Sequence, residues 1–230
     1  KFANEYKDTL IPLKLRKVQL FDNLELPHPN TEIIDLKTGK LEEAIAKYLD
    51  CGPIVVRFAG NNDTPGMPSC SIDSRAEFNQ GLTRINEILA KKNTYTHIII
   101  QNSTPKEEWI NKISGRIMLD SGDESGNEEI YELFKGAGST GILNTANVSD
   151  KNFLRLVKEP GRFLARSNSS ANNSGISAAE VSDIVSQVES FKEQLQQLKK
   201  IVMASPEYKR NDVVVEFSYR DGSLVFTDVD

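Results

Sequence analysis

The feature that most constrains this fold is a run of alternating strand-like and helix-like segments between His97 and Ala146. THIIIQ (96–101) reads as a strand around an apolar run. STPKEEW (103–109) opens a helix, RIMLD (116–120) reads as a strand, and NEEIYELFK (127–135) reads as a second helix. The glycine-rich turn GAGSTG (136–141) leads into a third strand, GILNTA (141–146). Strands alternating with short helices predict a mostly parallel sheet with helices packed on it, in a three-layer α/β domain. Ligands of such sheets bind beyond the carboxyl ends of the strands.

The flanks extend this pattern. IPLKLRKVQLF (11–21) alternates apolar and basic residues and suits one half-buried strand or two short ones. TEIID (31–35) is a short strand. Leu41, Ala44, Ile45, Tyr48 and Leu49 share one face of a helix that Gly52 and Pro53 end. PIVVRF (53–58) has the texture of a buried parallel strand, and the long loop 59–74 follows it. RAEFNQGLTRINEILAKKN (75–93) is helical, with Asp73 or Ser74 as N-cap. Further on, a short helix is expected around Phe153–Val157 and a strand at Arg162–Ala165.

SNSSANNSG (167–175) has the composition of a flexible polar linker. Ser177 and Glu180 then have capping-box spacing, ahead of Val181, Ile184, Val188, Phe191, Leu195 and Leu198 at alternating threes and fours. That predicts one long helix over 177–204 with a narrow apolar seam. The seam can pack on its own domain or serve self-association or a protein partner. DVVVEFSYRDGSLVFTDV (212–229) is a hairpin about Asp221-Gly222. The expected organisation is an α/β domain over 1–166, a linker over 167–176, and a helix plus hairpin over 177–230 packed on that domain.

A formal net charge of −5 makes nucleic acid an unexpected partner. The two cysteines do not make a disulfide framework, which suggests a reducing compartment. No apolar run approaches the roughly 18 residues that span a bilayer. A cytoplasmic location is expected, or delivery into a host cytosol if the protein is secreted by a bacterium. The first residue is not Met, so the chain reads as a fragment of a larger bacterial protein.

Few residues are candidates for chemistry. Gly138, Ser139 and Thr140 could cradle a phosphate through backbone N–H groups, but a P-loop requires a Lys followed by Ser or Thr, and the glycines here follow a helix. Arg162 and Arg166, four apart, could grip a phosphate. Cys70 in the 59–74 loop is a candidate thiol nucleophile with His97 or His28 as base, for a hydrolase or transferase. Cys51 ends a helix, where the dipole disfavours a thiolate. Asp120, Asp123 and Glu124 could bind a divalent ion but read as a solvated acidic loop, and no metal site is assigned.

Two stretches carry a resemblance. LELPHPNTEIIDLKTGKLEEAIAKYLDCGPIVVRF and NEEIYELFKGAGSTGILNTAN, with Asn144-Thr145-Ala146-Asn147, are similar to the second RecA-like domain of SecA-type translocation ATPases and, more broadly, of superfamily-2 helicases. That likeness covers residues 24–166. It implies a parallel nucleotide-binding fold, with Arg162 after Gly161 in the place of an arginine finger. The family's Gly-Arg-Gly-Thr-Asp run is replaced by Val148-Ser149-Asp150-Lys151, and no Walker motif is present. The resemblance therefore implies a catalytically silent module for binding a protein or another domain of the same polypeptide, without a cofactor of its own. The alternative is an incomplete ATP- and Mg-dependent half-site that needs a second domain.

Overall fold

The computed structural model describes residues 13–37, 39–60, 68–91, 94–105, 108, 111–119, 130–135, 153–159, 162–165, 175–205 and 213–229. The fold is mixed α/β, and every strand pairing among the described residues is antiparallel. Among the described residues, the mostly parallel sheet expected from the alternation does not form. The chain divides into two compact units, Lys1–Leu20 with Pro29–Glu107, and Phe21–His28 with Glu108–Asp230.

The first unit contains β1 (Thr31–Asp35), α2 (Leu41–Leu49), β2 (Ile54–Gly60), β3 (Ser69–Ile72), α3 (Phe78–Lys91) and β4 (Tyr95–Asn102), preceded by α1 (Leu13–Asn23). Its sheet order is β1-β4-β2-β3. β1 and β2, joined through α2, run the same way, as a strand–helix–strand unit requires. β4 lies between them and is antiparallel to both. The sequence alternation is thus met by second-neighbour strands.

One sheet face, with Ile54, Val56, Phe58, Ile98 and Ile100, packs against Ala44, Ile45, Tyr48 and Leu49 of α2 and Ile85 of α3. On the other face Ala59 and Ile99 pack with Leu15 of α1. Ile98, Ile99 and Ile100 are therefore buried from both sides, and that makes the run continuously apolar whatever the direction of its neighbours. The segment expected as strand over 11–21 is helical from Leu13, with Leu15 and Val18 three apart in one cluster.

The second unit is built on β5 (Ile113–Leu119), β6 (Ile130–Lys135), β7 (Phe153–Glu159), β8 (Arg162–Ala165), α4 (Ala178–Ser190), α5 (Lys192–Met203), β9 (Val213–Arg220) and β10 (Ser223–Val229). Its sheet order is β10-β9-β5-β6-β7-β8. Two expected helices are strands here: Ile130–Lys135 pairs with β5 and β7, and Phe153–Glu159 with β6 and β8. Glu132, Leu133 and Lys135 favour a helix in isolation, but a sheet position with partners on both sides outweighs that preference.

The terminal hairpin forms as expected, with Asp221 and Gly222 both at positive φ (51° and 76°). The capping box at Ser177 and Glu180 is present in full. The long helix is two helices, because Phe191 leaves helical geometry (φ −102°, ψ 15°). Its ring meets Phe226 of β10 edge-on, with centroids 5.8 Å apart.

The α4–α5 seam is spent on this sheet. Ile184, Val188, Leu195 and Leu198 are buried, and Val181 and Phe191 half-buried. Polar contacts fix the docking. Lys135 Nζ donates to Glu180 at 2.8 Å, and Tyr219 Oη donates to Asp183 at 2.6 Å. Gln187 donates to the Gly222 carbonyl at 2.9 Å and accepts from the Leu224 N–H at 3.1 Å. Burial, with Asp183 beside it, pushes the Tyr219 phenol up to about 12. Burial alone would raise Glu180, but its bonds to Lys135 and Ser177 outweigh that and hold it below the usual carboxylate range.

Candidate functional site

The sequence candidates do not assemble. Cys70 pairs with Val56, which pairs with Ile100, so Cys70 faces α2 and α3 inside the core. His97, three residues from Ile100 on the same strand, projects from the opposite face of the sheet. No Cys–His pair can form from them. Burial also pushes the Cys70 thiol up, against an opposing pull from Arg84, and its Sγ lies 4.0 Å from the Gly81 carbonyl. His28, the other candidate base, bonds Asp22 at 2.8 Å. Gly138, Ser139, Thr140 and Arg166, and the acidic group at 120–124, lie outside the described residues. Arg162 opens β8 at the register position opposite Glu159.

The structure assembles a different set, on the six-stranded sheet. At one level across it, Asp228 of β10 pairs with Glu216 of β9, Glu216 with Arg116 of β5, Arg116 with Glu132 of β6, and Glu132 with Arg155 of β7. Directly opposed residues share a face, so Asp228, Glu216, Arg116 and Glu132 form one row of charges. The face is the one turned away from α4 and α5, since Phe217, Tyr219 and Phe226 alternate with the row onto the helix side.

A β-bulge makes the row possible. Phe226 opposes Phe217 and Asp228 opposes Glu216, so Thr227 is the extra residue. Without it, Thr227 would face Glu216 and Asp228 would turn toward the helices. Bulges re-aim side chains in this way.

Within the row, Arg116 Nε donates to Glu132 Oε2, with the two side chains 16% and 9% exposed. Asp228 Oδ1 accepts from the Val229 N–H at 2.9 Å, and Asp228 and Glu216 are half-buried. Two carboxylates directly opposed, with Cβ atoms about 4.5–5.5 Å apart, repel each other, and Arg116 of β5 stands in register with Glu216. Hard oxygen donors in that number suit Mg²⁺, which keeps several waters and completes its shell with phosphate oxygens. Arg116 on the flank adds a planar donor of the kind that binds phosphate.

The signal for this set was faint. Arg116, Glu132 and Glu216 are single charges inside otherwise apolar strands, and nothing local says that three strands bring them to one level.

No family model and no curated protein matches the chain. Solved structures do. The chain is similar to the D-alanine–D-alanine ligase of Helicobacter pylori at a TM-score of 0.51 and 9% identity, covering 96% of this chain and 54% of the ligase. It is also similar to the D-alanyl-alanine synthetase A of Vibrio cholerae O1 (TM-score 0.47, 11% identity, 97% of this chain and 55% of that one). A third structure is the D-cycloserine synthetase DcsG (TM-score 0.49, 12% identity, 96% and 62%). The chain spans little more than half the length of these proteins. At such identities the Helicobacter pylori likeness bears on the fold alone, and nothing is argued from the two lower scores.

The fold likeness is to a D-alanine–D-alanine ligase and not to helicase domains, which overturns the resemblance to SecA-type and RecA-like proteins. The antiparallel sheets give the physical reason, since a RecA-like core requires adjacent parallel strands. The catalytically silent helicase-like binding module falls with it. Among the described residues no helix is long and apolar enough to cross a membrane.

Proposed function

We propose that the six-stranded unit binds a nucleoside triphosphate with a divalent cation. Asp228 and Glu216 are the cation ligands, and Arg116 is the phosphate partner. The observation that carries this reading is the bulge in β10, which turns Asp228 onto the same face as Glu216 and directly opposite it. Paired carboxylates of this kind are the hard oxygen donors that a divalent cation takes. Phosphate oxygens from the nucleotide complete the cation's shell, and ATP·Mg²⁺ is the natural form of such a ligand.

The likeness in fold to the Helicobacter pylori ligase supports the same reading, an ATP-binding ligase-like fold. The reaction class we assign is phosphoryl transfer from ATP in a ligase-type activation. The chain spans about half the length of that ligase.

The test is thermal stability with ATP and Mg²⁺ together, each alone, and both with excess chelator. A ligand at about 100 times its Kd stabilises the native state by about 2.7 kcal/mol. The wild-type chain is expected to gain that order of stability from ATP·Mg²⁺ at millimolar concentration. The Asp228→Asn and Glu216→Gln variants are expected to lose the gain. A wild-type chain whose melting ignores ATP·Mg²⁺ would refute the proposal.

A further inference from the structure

The carboxylate that the bulge presents lies on β10, which stands at the end of its sheet with β9 as its strand neighbour. A bulge disrupts the ladder locally, so this end strand has least support from β9 where Thr227 breaks the register beside Asp228. Phe226, on the near side of the break, has a second hold. Its backbone N–H donates to the Pro27 carbonyl at 2.7 Å, outside the sheet ladder. Its ring is fully buried, and the Phe21 ring lies 6.5 Å from it, centroid to centroid.

The segment Phe21–His28 belongs to the same compact unit as the sheet, and it reaches β10 through a defined turn. The Glu25 N–H donates to the Asp22 carbonyl at 3.1 Å and the Leu26 N–H to the Phe21 carbonyl at 3.0 Å, with Glu25 at a φ of 54°. These two bonds around a left-handed residue are the Schellman pattern that ends a helix, here α1. Leu26 and Phe21, which take the apolar positions of that pattern, are both buried. Glycine is the usual left-handed residue, but this chain has an exposed Glu there. The His28 ring lies 6.2 Å from the Phe21 ring, and its Nε2 is 2.8 Å from Asp22 Oδ1, which ties the two ends of the turn together.

We infer that Phe21–His28 is a positioning strap for the cation site: it grips Phe226 and so fixes the bulge that holds Asp228 opposite Glu216. Phe21, Glu25 and Leu26 are positioning residues that act through Phe226. This rests on the cation reading of Asp228 and Glu216 and adds the element that sets their spacing. A ligand carboxylate must be held to within about 0.5 Å, and a strand that slides by one residue turns its side chains to the opposite face. The left-handed Glu25 fits this role, because a non-glycine residue keeps that conformation only where the surrounding structure imposes it.

Glu25 gives the sharpest test, since it is exposed and its substitution removes no core contact. Glu25→Gly suits the backbone there and Glu25→Val opposes it. Phe21→Leu shortens the ring beside Phe226. Ile184→Val, in the buried face of α4, is the control for lost stability alone. The full chain is titrated with Mn²⁺ by calorimetry, below the melting transition of every variant, and hydrogen exchange is followed at the Phe226 amide. Glu25→Gly is expected to bind Mn²⁺ as wild type does, and Glu25→Val and Phe21→Leu about tenfold more weakly. Ile184→Val is expected to melt lower and to bind as wild type does. The Phe226 amide is expected to exchange slowly in wild type and Glu25→Gly and faster in the two strap variants.

Wild-type Mn²⁺ affinity in a strap variant whose Phe226 amide exchanges faster overturns the inference and leaves the cation reading standing. Unchanged Phe226 exchange in both strap variants overturns it too, as does an equal loss of affinity in Ile184→Val, which would make stability alone the cause. A wild-type chain that binds no Mn²⁺ refutes the cation reading itself, and the strap's role with it.

Discussion

Gly115 sits in the middle of β5, directly opposite Phe217 of β9 and Leu133 of β6. A Cβ built on it would lie 2.2 Å from Cζ of Phe217 and 2.7 Å from both Cε atoms, so the whole tip of the ring occupies the space. Phe217 is fully buried on the helix side and cannot swing into solvent. Gly115→Ala therefore overpacks a closed core, which costs about 1–3 kcal/mol. The lost glycine freedom in the unfolded chain returns about 0.4–1 kcal/mol of that. The net expectation is a loss of about 1–2 kcal/mol, or about 2–8 °C in melting temperature for a chain of this size.

Urea unfolding followed by circular dichroism measures the loss, and a double-mutant cycle identifies its cause. Phe217→Leu shortens the ring and destabilises by itself through the cavity it leaves. Combined with Gly115→Ala, the shorter side chain makes room for the new methyl, so the double variant is expected to be more stable than the sum of the singles by about 1 kcal/mol. Gly115→Ala with wild-type stability, or a strictly additive double variant, would show that the ring over Gly115 does not set this packing. Phe217 follows Glu216 on β9, so the same variant is also expected to weaken ATP·Mg²⁺ binding.

Three further outcomes follow from the polar contacts. Glu180 has a lowered pKa in the folded state, so its stabilising contribution is present above the unfolded value of 4.5 and is lost as pH falls through the folded one. Glu180→Gln should flatten the acid limb of a melting-temperature-against-pH curve in that window. Tyr219 has a raised pKa, so its contribution is complete below 10.0 and is lost as pH rises toward about 12; Tyr219→Phe should remove that alkaline step and cost about 1 kcal/mol at neutral pH. Of the two thiols, exposed Cys51 should react with a disulfide reagent in the native protein, and buried Cys70 at the rate of unfolding; native labelling of both at equal rates would contradict the burial of Cys70.

Much of the local structure was legible in the chain. The helix at Leu41–Leu49 follows from apolar spacing, the hairpin from Asp221-Gly222 between β-branched runs, and the capping box from Ser177 and Glu180. These are short-range effects, decided by backbone preference and side-chain period. The errors came where one pattern suits two structures. Ile130, Leu133 and Phe134 have helical spacing, yet they lie in a strand because β5 and β7 bond it from both sides. The run Ile98–Ile100 looked like a parallel strand because burial on both faces erases alternation, and burial does not report direction.

Tertiary structure alone decided the site. The sequence determined that Arg116, Glu132, Glu216 and Asp228 are charges within apolar strands, but it left them far apart along the chain. Register brought them to one level, and one extra residue in β10 chose which side of the hairpin Asp228 would take. A side chain changes face with every one-residue slip of pairing. For that reason a sequence that states its turns and helices plainly can still conceal which of its carboxylates meet.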